Sequence, residues 1–156
     1  MNVDIINAFL NSSIHVLKVM ASLDATAGKP FLKKDRLATG DVSGIITFSG
    51  ALMGSFALSF SSDCIFKIAS TMLREEISSI DHLARDTAGE LTNMISGDAR
   101  KRLESKGFII KAGIPSIVSG KDHEIGHVLK GPSIAIPFTT AFGPFVADVN
   151  ISRNKT

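Results

Sequence analysis

The sequence predicts an α/β fold of the α+β sandwich type, in which two or three helices pack on one face of a largely antiparallel sheet. Three observations support this fold class. Apolar residues recur at helical spacing near the amino terminus and in the middle of the chain, whereas runs with period-two alternation fill much of the remainder. Glycine and proline stand at most junctions, which favours hairpin connections. Helices packed on one face of hairpin-connected strands are typical of an α+β protein.

Size and composition limit the functions that need to be considered. The chain has 156 residues, 44% of them hydrophobic and 21% charged, so residues 1–156 are predicted to form a single domain with a packed core. The net charge is only +2 and there is no Trp or Tyr, which argues against nucleic-acid binding. No stretch reaches the roughly 18 uninterrupted apolar residues of a membrane span, and no early basic residue marks a targeting segment. We therefore expect a cytoplasmic protein without membrane contact.

The first elements are a helix and a hairpin. Apolar residues at intervals of three or four mark a helix that ends at about Met20. A break with glycine and proline follows, and the polar stretch 31–41 after it has room for a short edge strand. Two β-like runs within residues 43–60 flank a turn that contains Gly50 and Gly54, as in a hairpin.

Two helices and several strands complete the predicted fold. Ser62 is expected to cap a second helix. Ser78 and Asp81 have the spacing of a capping box and predict a long third helix at about residues 79–106, which Gly107 ends. The rest of the chain is β-like. The predicted strands lie at about residues 108–110, 114–118, 127–130, 134–138 and 145–151.

The long helix carries a line of polar and small residues on one side. At about 100° per residue, Asp86, Glu90, Asn93 and Gly97 fall within about 60° of one another. Apolar residues occupy the opposite side, so the line is expected to face solvent while the helix docks on the sheet. Gly89 and Gly97 are unfavourable in a helix, and they are expected to leave bare backbone beside the carboxylate and the carboxamide. A partner could therefore approach this side closely.

The same residues carry a family resemblance. The stretch from Asp86 to Asn93 resembles the motif of the CheC, CheX and FliY family of chemotaxis phosphatases: an Asp or Ser, three residues, Glu, two residues, Asn, and a Pro some twenty residues later. Pro115 follows Asn93 after 21 intervening residues. CheC-type members carry two Glu-x-x-Asn elements, and the single one found here favours CheX. Three further segments are similar to CheX, namely residues 5–10, 44–50 and 131–138.

This resemblance implies a function and a division of roles. The implied substrate is the phosphoaspartate of a CheY-type response regulator, which supplies its own Mg²⁺, and this chain binds no metal. Asn93 would position the attacking water, because a carboxamide both accepts and donates hydrogen bonds but is not a useful base near neutral pH. Glu90 would pair with a cation beside the phosphoryl group, and Asp86, Gly89 and Gly97 would form the partner-binding surface. The resemblance also implies a homodimer. The alternative is a non-catalytic module of the same fold that binds a response regulator.

A second motif points to a different chemistry. His123, Glu124 and His127 form a literal H-E-x-x-H, the pattern by which two histidines on a helix bind Zn²⁺. Glycines before and inside the motif favour a strand or turn instead. In a strand the two histidines would lie about 13 Å apart, too far to share one metal ion. No His or Glu follows His127 as a third ligand, and only Asp148 remains. A zinc peptidase is therefore disfavoured.

Overall fold

A computed structural model of the protein describes residues 3–154, which form three helices and eight strands. The elements follow one another in the order helix, four strands, two helices, four strands. Their bounds are α1 Val3–Ala21, β1 Thr26–Ala27, β2 Phe31–Lys33, β3 Val42–Gly50, β4 Leu52–Phe60, α2 Ser62–Leu73, α3 His82–Glu104, β5 Ile110–Ala112, β6 Ser116–Ser119, β7 Ser133–Thr140 and β8 Gly143–Arg153. No helix among these is long and apolar enough to cross a bilayer.

The strands form one sheet in which every pairing is antiparallel, as the sequence predicts. The strand order is β1-β7-β8-β4-β3-β5, with β2 also on β7 and β6 also on β3. Each outer edge is therefore made of two short strands: β1 and β2 at one edge, β5 and β6 at the other. The long strands β3, β4, β7 and β8 form the centre.

The helices pack on one face of this sheet, where they form the main core. Every second residue of the central strands points towards the helices, as period-two alternation requires. Phe9 of α1 packs against Phe56 of β4 with ring centroids 4.5 Å apart and the rings tilted by 32°, and Leu91 of α3 is fully buried in the same cluster. The predicted α+β sandwich with helices on one face is confirmed.

Two connecting segments cover the opposite face, a feature that the sequence did not predict. Residues 34–41 and 120–131 pair with each other through a bridge between Leu37 and Glu124. Two backbone hydrogen bonds join the same segments, from Ala38 N to His123 O and from Ile125 N to Arg36 O. Ile125 packs on Ile45 and Ala57, a cross-strand pair of this face. Both sides of the sheet are thus covered.

The helix starts differ in detail from the prediction. Ser61, not Ser62, is the N-cap of α2, and the carboxylate of Asp41 accepts hydrogen bonds from the Ser62 amide (2.9 Å) and hydroxyl (2.8 Å). The predicted capping box is wrong. Asp81 itself caps α3 by accepting a hydrogen bond from Ala84 N at 3.0 Å, so the helix begins three residues later than the predicted 79.

The strand prediction also needs three corrections. The β3–β4 turn falls at Gly50 and Ala51, while Gly54 lies inside β4. Gly54 has φ +136°, and a Cβ there would lie 2.0 Å from the carbonyl oxygen of Asn150, so the close approach of β8 requires glycine. Residues 127–130 form no strand, because they belong to the covering segment. The strands predicted at 108–110 and 114–118 begin two residues later, as β5 and β6.

Candidate functional site on the exposed side of α3

The polar line, defined as Asp86, Glu90, Asn93 and Gly97, lies on the solvent side of α3. The first three residues are exposed and Gly97 is half-buried. On the opposite side a stripe of fully buried residues faces the sheet and the other helices. The stripe consists of Ala84, Ala88, Leu91, Ile95 and Ala99. The predicted separation of the two sides is confirmed.

The three polar side chains of this line are unpartnered within residues 3–154. Asp86, Glu90 and Asn93 make no side-chain hydrogen bond or ion pair there. The backbone carbonyl of Asn93 accepts a bond from the Ser96 hydroxyl at 3.2 Å, which leaves its carboxamide free. Exposed polar groups without internal partners are available to a second molecule without breaking an existing interaction.

A close helix–sheet contact holds this part of α3 in place. A Cβ on Gly44 of β3 would lie 2.1 Å from Thr92 Oγ1 and 3.0 Å from the carbonyl oxygen of Ala88. Thr92 is fully buried, and its hydroxyl donates to that same carbonyl at 2.8 Å. Because Gly44 has no side chain, the turn that carries Glu90 and Asn93 sits directly on the sheet. Beyond the placement of a glycine in a β-like run, no local pattern indicates this role.

The structure places Gly89 differently from the prediction. Gly89 is buried, and a Cβ there would meet Ile117 Cδ1 at 2.8 Å. It therefore allows α3 to pack on β6 and does not present bare backbone to solvent. Arg85 reinforces this contact by donating hydrogen bonds to the carbonyl of Ile117, at 3.3 Å, and to the hydroxyl of Ser119. Gly97 does match the prediction in one respect. Apart from the backbone of α3, a Cβ there would have only Arg100 Nη2 nearby among residues 3–154, at 4.0 Å.

Pro115, the last residue of the sequence motif, lies in the short connection between β5 and β6. Both strands pair with β3 along the same edge. A proline lacks the N–H that would continue an edge strand, so it fits the interruption between them. Two residues further on, Ile117 makes the contact with Gly89 described above. Pro115 thus shapes the strand on which α3 rests.

Two apolar hollows flank the polar line. One, of about 280 Å³, lies between α2 and α3, and Asp86 and Glu90 form its polar side. The other, of about 390 Å³, lies between α1 and α3, and Gly97 contributes to its wall. The line is therefore a polar ridge with an apolar depression on each side.

The H-E-x-x-H motif lies on the other side of the sheet, in the covering segment. His123 is buried; its Nδ1 lies 2.8 Å from the carbonyl oxygen of Gly120 and its Nε2 lies 2.6 Å from Ser43 Oγ of β3. Because a carbonyl only accepts, Nδ1 is the donor in its bond to Gly120. His127 Nδ1 lies 2.7 Å from Ser55 Oγ of β4. Residues 123–127 form no helix, as predicted, but lie in an irregular segment with one bridge at Glu124 and not in a strand or turn. Each histidine contacts its own serine.

The charges around these histidines do not form a metal centre. Asp148, the acid that the sequence left as a remaining candidate ligand, is buried and pairs with Lys33 at 3.5 Å. Burial raises the pKa of Asp148 despite this lysine. Burial also lowers the pKa of His127 to about 4, and the nearby charges of Arg36 and Lys33 act in the same direction. Within residues 3–154 no three His, Cys, Asp or Glu side chains converge on a common point.

Fold and site together define an α+β protein that presents an unpartnered carboxylate and carboxamide on one exposed helix, and three comparisons identify its family. The family model described as chemotaxis phosphatase CheX matches residues 42–139. The CheY-P phosphatase CheX of Thermotoga maritima is 31% identical over 136 residues, which cover 85% of this chain and 88% of that protein. The protein therefore belongs to the CheX family of chemotaxis phosphatases.

Solved structures agree with this assignment. A CheC-like superfamily protein from Shewanella sp. PV-4 superposes with a TM-score of 0.89 at 43% identity, covering 97% of this chain and 99% of that one. The CheX–CheY–BeF₃–Mg²⁺ complex from Borrelia burgdorferi gives a TM-score of 0.81 at 25% identity, covering 97% of this chain and 100% of the matched chain. In the sequence match, the family model includes the whole polar line and Pro115.

Proposed function

We propose that the protein, acting as a single domain over residues 1–156, hydrolyses the aspartyl phosphate of a CheY-type response regulator. The observation that supports this most strongly is the pair Glu90 and Asn93: both are exposed and unpartnered on a helix whose other side is fully buried. The relative from Thermotoga maritima is named a CheY-P phosphatase, and the relative from Borrelia burgdorferi was solved in complex with CheY.

The chemistry requires alignment more than proton transfer. A water oxygen attacks phosphorus in line with the bond to the aspartate; the new P–O bond forms as the old one breaks, the carboxylate leaves with its electron pair, and the water proton passes to the phosphate product or to solvent. The Asn93 carboxamide oxygen accepts a hydrogen bond from this water, and its NH₂ group donates to a phosphoryl oxygen. Such positioning removes much of the entropic part of the barrier.

Glu90 has a different role in this proposal. Its carboxylate pairs with a cation of the regulator beside the phosphoryl group and thereby fixes the register of α3 in the regulator's cleft. Asp86 and Gly97 line the approach to either side. Mg²⁺ neutralises charge on the phosphoryl oxygens when it is bound, and in the proposal the regulator holds it. Asp86 and Glu90 are one helical turn apart, and within residues 3–154 no third His, Cys, Asp or Glu side chain converges on them.

The decisive experiment measures the lifetime of the phosphoryl group on a purified CheY-type regulator with Mg²⁺. The protein is expected to shorten that lifetime, and Asn93→Ala to reduce the effect by about 100-fold or more, as for loss of a preorganised transition-state contact. Asn11→Ala is the matched control, because Asn11 is also an exposed helical asparagine but lies on α1. An unchanged lifetime with the unmodified protein would contradict the phosphatase. Complex formation without a shortened lifetime would instead support the non-catalytic binding module.

The oligomeric state is a separate part of the proposal. The homodimer implied by the family resemblance has a physical route, because β5 and β6 leave one sheet edge open to a further strand. Ile114, between these strands, is 91% exposed. Sedimentation equilibrium gives the mass directly, and a monomer at micromolar concentration would contradict the homodimer without affecting the proposed chemistry.

A further inference from the structure

We propose that the hollow between α1 and α3 is the second half of the regulator-binding surface and that it sets the orientation in which a regulator docks. This inference rests on the proposed function and adds residues that the sequence motif does not contain. We call this hollow the α1–α3 groove and define it by Val16, Val19 and Met20 of α1 and Met94, Arg100 and Lys101 of α3.

The exposed polar line is too small to form a complete regulator-binding surface. A stable protein–protein contact buries roughly 800 Å² on each partner, far more than one carboxylate and one carboxamide expose, so a bound regulator must also cover the flanks of the polar line. The α1–α3 groove adjoins the line directly, since Met94 follows Asn93 and Gly97 forms part of its wall. Its volume of about 390 Å³ exceeds the about 280 Å³ of the hollow beside α2.

The groove also has exposed apolar side chains at its rim. Val19 is 63% exposed and Met20 37% exposed at the rim of the groove. Two adjacent apolar side chains at the carboxyl end of a helix, beside a polar ridge with no internal partners, form the apolar centre and polar border typical of a binding surface.

The surface formed by the polar line and the groove is acidic at one end and basic at the other, and this charge pattern indicates which partner it fits. The first half of the polar line is acidic, with Asp86 and Glu90. Arg100 and Lys101 follow its last residue along α3 and line the groove. Asp98 does not compensate them, because it pairs with Arg102 at 2.9 Å. Within residues 3–154 neither Arg100 nor Lys101 has an ion-pair partner.

A phosphorylated receiver domain fits this distribution in one orientation. In the proposed function the regulator's cleft holds Mg²⁺ and the phosphoryl group, and proteins bind Mg²⁺ mainly through carboxylates and substrate phosphates, so we expect the groups around the cleft to be mainly acidic. That rim would face Arg100 and Lys101, while the cation of the cleft would face Glu90. The Arg100 guanidinium already lies near the polar line, with Nη2 4.0 Å from the position of a Cβ on Gly97. The opposite orientation would place acidic groups against Glu90 and is disfavoured by like-charge repulsion.

The test is a steady-state measurement of regulator dephosphorylation with Val19→Asp and Lys101→Glu. Both residues are exposed, so the variants are expected to fold. Val19→Asp is expected to raise KM by about tenfold, and Lys101→Glu by about threefold with a weaker dependence of KM on salt. In both, kcat is expected to stay within about twofold, because the residues contact the partner and not the reacting atoms.

Matched controls lie on the opposite side of the sheet. Val128→Asp introduces the same charge at a valine that is 55% exposed, and Lys121→Glu makes the same reversal at an exposed lysine; neither is expected to change KM. The inference would be overturned if Val19→Asp and Lys101→Glu left KM as unchanged as these controls do, in an assay where the unmodified protein still shortens the phosphoryl lifetime. If the unmodified protein has no such effect, the proposed function fails and this inference falls with it.

Discussion

The molecule contains two polar motifs, the pair Glu90 and Asn93 on α3 and the H-E-x-x-H segment across the sheet, and they differ in burial and in hydrogen bonding. On α3, the side chains of Glu90 and Asn93 are exposed and have no partner within residues 3–154. Across the sheet, His123 is buried and uses both ring nitrogens, one on Ser43 and one on Gly120. Each set lies on a segment that packs closely on the central strands. Glu90 and Asn93 thus leave their polar side-chain atoms available, whereas those of His123 are already bonded.

The burial and hydrogen bonding of a motif's side chains indicate whether they stabilise the fold or contact another molecule. A buried polar side chain with satisfied hydrogen bonds stabilises the fold, and removing one partner costs free energy of unfolding. An exposed, unpartnered side chain on a helix contributes little to stability, and its polar atoms stay available for contact with another molecule. Changes at Glu90 and Asn93 should therefore affect activity without stability, and changes at the buried His123 should affect stability without activity.

After Asn93, the largest loss of activity without loss of stability is expected at Glu90. Glu90→Gln removes the charge but keeps the shape, so kcat/KM for regulator dephosphorylation is expected to fall about 30-fold, equivalent to roughly 2 kcal/mol. The unfolding midpoint should not change, since Glu90 has no internal partner. Glu104→Gln, at the exposed end of the same helix, is the control for charge alone. Equal losses in both variants would show that net charge matters and a specific ion pair does not.

At His123 we expect a loss of stability without a loss of activity. His123→Ala leaves a cavity and removes the bonds to Ser43 and Gly120, so the free energy of unfolding is expected to fall by about 1 to 2 kcal/mol. Urea unfolding followed by far-ultraviolet circular dichroism measures this, since the chain has no Trp or Tyr for fluorescence. At a temperature where the variant is folded, kcat/KM should be unchanged. A fall in kcat/KM with normal stability would show that the covering segment contributes to the reaction.

The helix face of the sheet was the more predictable side. Its strands alternate with period two, and α1 and α3 show apolar residues at helical spacing. The line Asp86, Glu90 and Asn93 followed directly from helical geometry, because every fourth or third residue of a helix returns to the same side. These patterns are local, so they can be read from the sequence before any tertiary contact is known.

The features that the sequence did not predict depend on long-range contacts. Ser43 and Ser55 fit the polar half of an alternating strand, and nothing local shows that residues 120–131 bury them. Gly89 was assigned to the partner surface because its neighbour Glu90 is polar, whereas its actual environment is Ile117. The role of Gly44 likewise depends on Thr92, nearly fifty residues further along the chain.

The smallest predicted effect concerns His127 and tests the buried set by pH. The folded-state pKa of about 4 lies below the ordinary value of 6.5, so between these values the unfolded chain binds more protons than the folded protein. Stability should therefore rise with pH across this window and be lost as pH falls from 6.5 towards 4. Because the ring is partly exposed, we expect a contribution of only about 1 kcal/mol.

His127→Asn isolates this contribution, because asparagine keeps a group able to hydrogen-bond to Ser55 but does not titrate. The raised pKa of Asp148 has the opposite sign, since it favours folding below its unfolded value and loses that effect as pH rises. Asp148 is present in both proteins, so the difference between their unfolding free energies at pH 4.5 and pH 7 reports His127 alone. The wild type should lose about 1 kcal/mol more than the variant on acidification. Parallel pH profiles would show that His127 reaches solvent, and the contrast with the exposed line on α3 would then hold for His123 only.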